Sequence, residues 1–595
     1  MAMEQKPILE FIWNLISRNT KEISKVDYFP QKPVYPQFSQ NEAFPRATPY
    51  SQGISPKSII DLLDQLSESS HTHMHQLMII KNGKIITECG FAPYTRNLWH
   101  ASYSLCKSIT GIAIGMLIDE GKLHVDDRLV DIFKRQKNFM TIFRQRDITV
   151  KHLLTMTSGV SFNEAGAVTG NDWVKGFLES SVKFTPGSQF EYNSMNSYML
   201  SAIVSEITGE TMMEYLRKRL WAPLGITNVF WETCPKGITK GGWGLFICPE
   251  DAGKIGQLFL QKGKWDNTQI ISKEWIEEAT SPKTQVPSEM GFGGYGYQIW
   301  MGKRSGSYVF NGMLGQNVLI YPDIQMIIVT NAGNSVLFQK CEMLDIIHNI
   351  FAKDEITKNH SMMYYKYTYH KFQKKIEKLE EREQKPKIYK DGWSCWKKWN
   401  NKKKNTEALI RKLYGRSYKL NDTSVSLFPL MLQVVHNNFE EGISMIHFMK
   451  TEDKFCIQLK DGEFTHTIYA GILCWKETEL NLKGEIYRVA AMVQATKDED
   501  DRTVLKLNIA FLEEASNRII KFFWNDSDMK QLEIQWMESP GAELILEGLE
   551  SVAGSITEHP ILSGIHGKNL ASIFTKIIKQ TIEPVTTGMP VEETE

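Results

Sequence analysis

Apolar positions along the chain change period several times, and each change marks an element. Ile59, Ile60, Leu62, Leu63 and Leu66 recur at helical spacing after Ser55, which predicts a helix with one buried face. Residues 77–80 and 84–87 are short β-type runs flanking Asn82-Gly83. That pair tolerates the positive φ of a tight primed turn, so a β-hairpin is predicted. An amphipathic helix is predicted over 104–119, with Ile109, Ile112, Ala113, Met116 and Leu117 on one stripe and Gly121 as its stop. A mostly helical stretch runs to about 260, and then 308–312, 317–321 and 326–330 read as three strands separated by turn residues, with 336–351 as a closing helix. Hairpin first, meander last and helices between make an α+β domain in which the two terminal pieces complete one antiparallel sheet flanked by helices.

The second half has a different texture. Residues 353–413 are rich in charge and tyrosine, and 371–383 reads as an exposed helix in a connector. From 414 to 554 short β-type runs such as 455–459, 467–472, 488–493 and 504–511 alternate with polar turns, predicting a β-rich barrel or sandwich. The last stretch, 555–595, contains a short amphipathic helix near 569–578 and a Thr, Pro and Glu tail expected to be disordered. At the other end, 1–44 carries Pro30, Pro33 and Pro36 among aromatics with no sustained period, which predicts an extended arm lying over a domain at 45–352.

Composition narrows the partners. A chain of 595 residues with 42% hydrophobic side chains exceeds what one core organises. Its 69 basic and 69 acidic side chains cancel, so no overall field attracts nucleic acid or an anionic membrane surface; the Trp- and Lys-rich run at 393–404 reads as a solvated linker helix. Glu10 and Asn14 interrupt the N-terminal apolar residues, and no run approaches the roughly eighteen apolar residues of a membrane span. A cytoplasmic protein acting on a small molecule or short peptide is expected, and no feature speaks to its oligomeric state. The eight cysteines are scattered and read as free thiols, Cys106 as structural. His71, His73 and His75 read as an exposed polar stretch before a strand, and no metal or cofactor is expected. Gly241-Gly242 and Gly293-Gly294 lack the strand-to-helix setting of a phosphate cradle and read as loop glycines.

Candidate chemistry gathers at Ser104-Leu105-Cys106-Lys107. A hydroxyl and an amine three residues apart at a helix start share one face, one turn apart. A lysine activates a serine only as the free amine, which burial favours, while the helix N-terminus favours the negative charge that develops. The same tetrad spacing recurs at Ser180–Lys183, Ser394–Lys397 and Ser527–Lys530, so spacing alone selects nothing. Only the first leads directly into a long apolar helix with small residues.

With that helix, Leu153-Leu154-Thr155-Met156-Thr157-Ser158-Gly159, Pro186-Gly187-Ser188-Gln189-Phe190-Glu191-Tyr192, Pro223-Leu224-Gly225-Ile226, Gly242-Trp243-Gly244-Leu245 with Asp251, and Gly294-Tyr295-Gly296-Tyr297 follow in order. Together they resemble the serine β-lactamase and penicillin-binding-protein family, of class C type, over about 45–352. The resemblance implies Ser104 as acylated nucleophile, Lys107 as its base, and Tyr192 as proton relay to the leaving group. The family's second motif continues with asparagine two residues on. Here Ser194 stands in that place and Asn196 follows, a spacing that resembles the nylon-oligomer hydrolase and esterase branch. The third motif, a cation then Thr or Ser then Gly, is represented by Phe310-Asn311-Gly312. Gly312 permits close substrate approach, and the Met313 N–H with that of Ser104 would form the oxyanion hole. Phe310 cannot pair with a substrate carboxylate as a lysine or histidine would.

The expected activity is therefore serine hydrolysis of a neutral ester or amide through an acyl-enzyme, with Ser194, Asn196, Asn311, Gly312 and Met313 around the substrate. Trp243, Phe246, Tyr295, Tyr297 and Trp300 are candidates for an apolar acyl pocket, though such aromatics more often belong to a core. Competing expectations are a D-amino-acid peptidase, an amidase or a penicillin-binding or β-lactamase activity. From another class comes a sensor that acylates once, or only binds.

Overall fold

A computed structural model describes residues 14, 26–36, 44–136, 138–335, 342–351, 362–383, 392–423, 425–451, 454–524, 529–541 and 579–591. The chain divides into two compact units, one of residues 35–379 and one of 1–34 with 380–595. The arm predicted at 1–44 is thus shared, since 26–34 count with the second unit.

The first unit is built on the predicted hairpin, β1 (Met74–Lys81) and β2 (Lys84–Gly90), with Asn82 at φ 53° and Gly83 at φ 68°. Later in the chain come β3 (Gly294–Tyr295), β4 (Trp300–Met301), β5 (Tyr308–Gly312), β6 (Gln316–Tyr321) and β7 (Met326–Ala332). They join as one sheet in the order β2-β1-β7-β6-β5-β4-β3. Antiparallel pairing of Leu77 with Thr330 and Ile79 with Ile328 closes the two terminal segments on each other, as expected.

Alternation along the strands feeds two cores. Met78, Ile80, Phe310, Val318, Ile327 and Val329 face one. Leu77, Ile79, Val309, Leu319 and Ile328 face the other, with the apolar stripe of α1 (Pro56–Glu68). Both faces of the sheet are covered, which is why 77–80 reads as an unbroken apolar run. The Ser104 turn opens α2 (Cys106–Asp119), and α3 (Ser194–Thr208) packs beside it. Every α2 residue from Cys106 to Leu117 is buried, so this helix is buried all round and not amphipathic as its stripe suggested. The closing helix is described as α4 (Glu342–Phe351); 336–341 lie outside the described residues. The connector's first helix, α5 (Met362–Glu380), packs Phe372, Ile376 and Leu379 against the second core, so it is part of the unit's structure.

In the second unit the strands are β8 (Ser417–Leu420), β9 (Ile443–Thr451), β10 (Lys454–Asp461), β11 (Phe464–Ile472), β12 (Lys476–Leu482), β13 (Glu485–Lys497), β14 (Thr503–Phe511), β15 (Asn517–Trp524), β16 (Leu532–Ser539) and β17 (Val585–Pro590). Their order is β11-β10-β9-β8-β17-β16-β15-β14-β13-β12, and β11 also pairs with β13. That pairing closes a barrel of nine strands and leaves β12 beside it, deciding barrel over sandwich.

Two expectations fail here. The tail was expected to be disordered, yet β17 fills the gap between β8 and β16; its Thr and Gly residues carry little apolar signal because their task is backbone pairing. The helix predicted near 569–578 lies outside the described residues. The solvated linker helix is instead α6 (Gly392–Leu413), which buries Leu409, Ile410 and Leu413 in the barrel core and fixes Thr406 Oγ1 to Ala495 N at 2.9 Å. Its many lysines mask a short apolar stripe confined to its last turns.

Candidate active site

Ser104 sits in a tight helical turn, Tyr103–Leu105, that runs into α2. Tyr103 before it adopts φ 46°, a left-handed conformation uncommon for an aromatic residue and tolerated only where surrounding packing enforces it. Packing does so: Tyr103 and Leu105 are buried, and Ser102 N donates to Leu245 O at 2.8 Å. Small residues let α2 sink into the fold. A Cβ on Gly115 would lie 2.4 Å from the Trp275 indole nitrogen, and one on Gly111 would lie 3.2 Å from Tyr297 O.

Lys107 projects from the next turn and is 2% exposed. Its Nζ lies 2.7 Å from Ser104 Oγ, 3.0 Å from Ser194 Oγ and 2.7 Å from Gly242 O. The Tyr192 ring centroid is 5.0 Å from the same nitrogen. Ser104, Lys107, Tyr192 and Ser194 therefore converge, although 85 or more residues separate the two pairs in sequence. Ser194 is held by its position at the start of α3, where the Asn193 side chain accepts from Met195 N and Glu164 accepts from Ser194 N at 3.0 Å. Gly242 was read as a loop glycine, but it approaches so closely that a Cβ would lie 2.8 Å from Ser194 O. Its carbonyl is the site contact that sequence reasoning missed, since a backbone acceptor leaves no mark in residue type.

Strand β5 forms the other wall. A Cβ on Gly312 would lie 2.4 Å from Ser102 O and 3.1 Å from Leu105 N, so only glycine permits this strand to lie against the Ser104 turn. Met313 follows at once, in a short turn (Met313–Gly315) that lies near the Tyr103–Leu105 turn. Asn311 donates to Asn317 Oδ1 at 2.6 Å, and Asn317 donates to Thr330 Oγ1 at 3.2 Å, tying β5 to β6 and β7. Phe310 is fully buried against Phe259, with ring centroids 4.9 Å apart, and so faces the core.

Asn196 has other partners than Ser104 and Lys107. Its Oδ1 accepts from Ser158 Oγ at 2.6 Å and its Nδ2 donates to Met156 Sδ at 3.5 Å, so it pins the 153–159 turn to α3. One residue along a helix rotates a side chain by about 100°, and two residues past Ser194 point well away from it. Of the candidate aromatics, Trp300 stacks on Tyr192 at 5.5 Å and Tyr295 meets it edge-on at 6.5 Å. Phe190 and Phe292 extend that cluster through Trp300. Tyr297 stacks instead on Trp275, Trp243 on Trp173, and Phe246 against Trp99.

Cys106 is buried, its Sγ facing Gly241 O at 3.5 Å, and burial pushes its thiol up to about 12, which suits a structural residue. His75 corrects the expectation of an exposed histidine stretch: it is 1% exposed, stacked on Tyr94 and 3.0 Å from His100 Nε2. Burial first, then His100 and His73, hold it well below the usual histidine range.

Comparison with known proteins adds to this geometry. Residues 59–337 match the β-lactamase family, in agreement with the β-lactamase/transpeptidase-like arrangement expected for this unit. The Bacillus subtilis protein PbpX, described by name as a candidate penicillin-binding protein, is 31% identical over 170 residues, covering 27% of this chain and 42% of PbpX. Staphylococcus aureus protein flp is 27% identical over 194 residues, 29% of this chain and 38% of flp. The match thus spans less than half the length of these relatives. A solved Bacillus anthracis structure described as a candidate 6-aminohexanoate-dimer hydrolase is 21% identical, with 61% of this chain and 94% of that chain covered at a TM-score of 0.43. Among the described residues, no helix is long and apolar enough to cross a membrane.

Proposed function

Because residues 59–337 make up a β-lactamase-family domain, we propose that this chain is a serine hydrolase cleaving a neutral ester or amide through an acyl-enzyme on Ser104. The observation that carries the reading is Lys107 Nζ, buried and 2.7 Å from Ser104 Oγ. In the proposed step Ser104 Oγ attacks the substrate carbonyl carbon while its proton passes to Lys107. The oxygen of the tetrahedral intermediate takes the backbone N–H groups of Ser104 and Met313. Tyr192 returns the proton to the departing alcohol or amine, and water then attacks the acyl-enzyme and frees Ser104. Ser194 Oγ, 3.0 Å from Lys107 Nζ, fills the place of the asparagine in the second motif and orients the amine.

Neutral substrates are favoured by Phe310, whose buried ring offers no cation where penicillins and D-alanyl peptides present a carboxylate. The half-buried Tyr192 ring, 5.0 Å from Lys107 Nζ and backed by the buried Tyr295 and Trp300, offers the apolar contact for an acyl chain.

Intact mass after incubation with a fluorophosphonate, beside turnover of p-nitrophenyl butyrate, tests the reading. Wild type is expected to gain one adduct and to turn over, with Ser104→Ala doing neither. Lys107→Ala should lose at least about 10⁴-fold in kcat, as when one member of a nucleophile–base unit is removed. A burst of one equivalent without turnover would favour the single-acylation sensor. Neither labelling nor turnover would overturn the hydrolase.

A further inference from the structure

The barrel interior is apolar along most of its length because alternate residues point inward. On β10 these are Phe455, Ile457, Leu459 and Asp461, and on β11 they are His466, Ile468 and Ala470. The alternation that buries Leu459 and Ile468 therefore also buries a carboxylate and an imidazole at one end. Glu440, in the segment leading into β9, joins them. Exposures of 1% for Asp461, 2% for Glu440 and 3% for His466 make this a buried cluster, and one ligand atom from each of the three lies within 4.8 Å of the others.

Several buried charges elsewhere in this unit face an opposite charge. Arg518 meets Glu538 at 2.9 Å, and Lys32 of the arm meets Glu513 at 3.0 Å. By contrast Glu440 Oε1, Asp461 Oδ2 and His466 Nε2 are buried without a hydrogen-bond partner. Gly442 N donates to Asp461 Oδ1 at 2.6 Å, which orients the carboxylate and leaves its other oxygen to the cluster. Buried polar atoms left without partners in one such cluster are costly unless something meets them.

We propose that Glu440, Asp461 and His466 form a binding site for one divalent transition-metal ion of the zinc type. Two carboxylates neutralise the ion's charge, and an imidazole nitrogen with two carboxylate oxygens selects zinc over calcium or magnesium, which take all-oxygen shells. The site lies outside the hydrolase unit and concerns none of its residues. His466 also lines an open groove between β11 and β12, with Tyr469, Thr478 and Leu480. The expectation of no metal, drawn from the absence of close Cys and His spacing, overlooked ligands that strand pairing assembles from three separate segments.

The test uses the full chain, stripped with chelator and then titrated with Zn²⁺ or Co²⁺, each alone. One equivalent should be retained through gel filtration and should raise the unfolding temperature, with an excess of Ca²⁺ failing to displace it. Asp461→Asn and His466→Gln should each weaken binding by at least about tenfold, since even residues behind a ligand cost that much. X-ray absorption on the Zn²⁺ form gives a readout that needs no variant: a shell of imidazole nitrogen and carboxylate oxygen without sulfur. Failure of wild type to retain either ion, a sulfur-containing shell, or folded variants that bind as wild type does would each overturn the proposal.

Discussion

Ser194 and Gly312 show how much of the candidate site depends on what a single position lacks or carries. Ser194 Oγ supplies one of the three oxygens around Lys107 Nζ. Ser194→Ala removes one hydrogen bond in a buried setting, so kcat/KM for p-nitrophenyl butyrate should fall about 5- to 100-fold while the protein still folds. Gly312→Ala would place a methyl 2.4 Å from Ser102 O. On the proposed function, fluorophosphonate labelling should then be nearly lost, because the strand must retreat from the Ser104 turn. His75 acts through its charge. Its pKa is lowered in the folded protein, so below the ordinary histidine value the unfolded chain takes up a proton that the folded one does not. Stability contributed by the neutral form is present above that value and declines as pH falls through about 6.5. Denaturation midpoints measured from pH 7.5 to pH 5 should drop, and His75→Gln should flatten the decline.

At the scale of elements, α2 is the part that the local pattern described least well. Its stripe of Ile109, Ile112, Met116 and Leu117 is present, but Gly111, Ala113 and Gly115 are buried on the remaining faces. A one-stripe reading treats small residues as neutral, whereas here they are what allows neighbouring chain to close over the helix. Gly115→Leu should overpack the Trp275 contact and destabilise by about 1–3 kcal/mol, readable as a shift in urea midpoint without change in slope. The strands were more legible. The periods of β1, β2, β5, β6 and β7 match their predicted runs closely because hairpin turns and meander turns are set by adjacent residues such as Asn82-Gly83. Helix α6 went the other way, its many lysines hiding three buried aliphatic residues.

For the molecule as a whole, closure of the barrel is the feature with the clearest consequence. Strand β17 pairs with β8 through Lys419 and Met589 and with β16 through Glu533 and Thr587. Thr586 Oγ1 also accepts from the buried Trp536 indole N–H at 2.8 Å. Removing residues 580–595 would leave two strand edges and that N–H without partners. The truncated chain should aggregate on gel filtration, whereas trimming a disordered tail would leave the elution volume unchanged.

Local patterning was enough for the hairpin, the meander, the α+β class of the first unit, the β-rich character of the second, and Ser104 with Lys107 on one helix turn. These rest on interactions between residues close in sequence, or on alternation that any covered sheet imposes. The ordered motifs also led to Tyr192 and Ser194, which fold against that turn. Tertiary structure alone decided that Asn196 turns to Ser158, that Gly242 offers its carbonyl to Lys107, that β17 completes a barrel, and that Glu440, Asp461 and His466 meet. In each of these the partner is a backbone atom or a residue remote in the chain, and neither leaves a periodic trace that neighbouring residues could reveal.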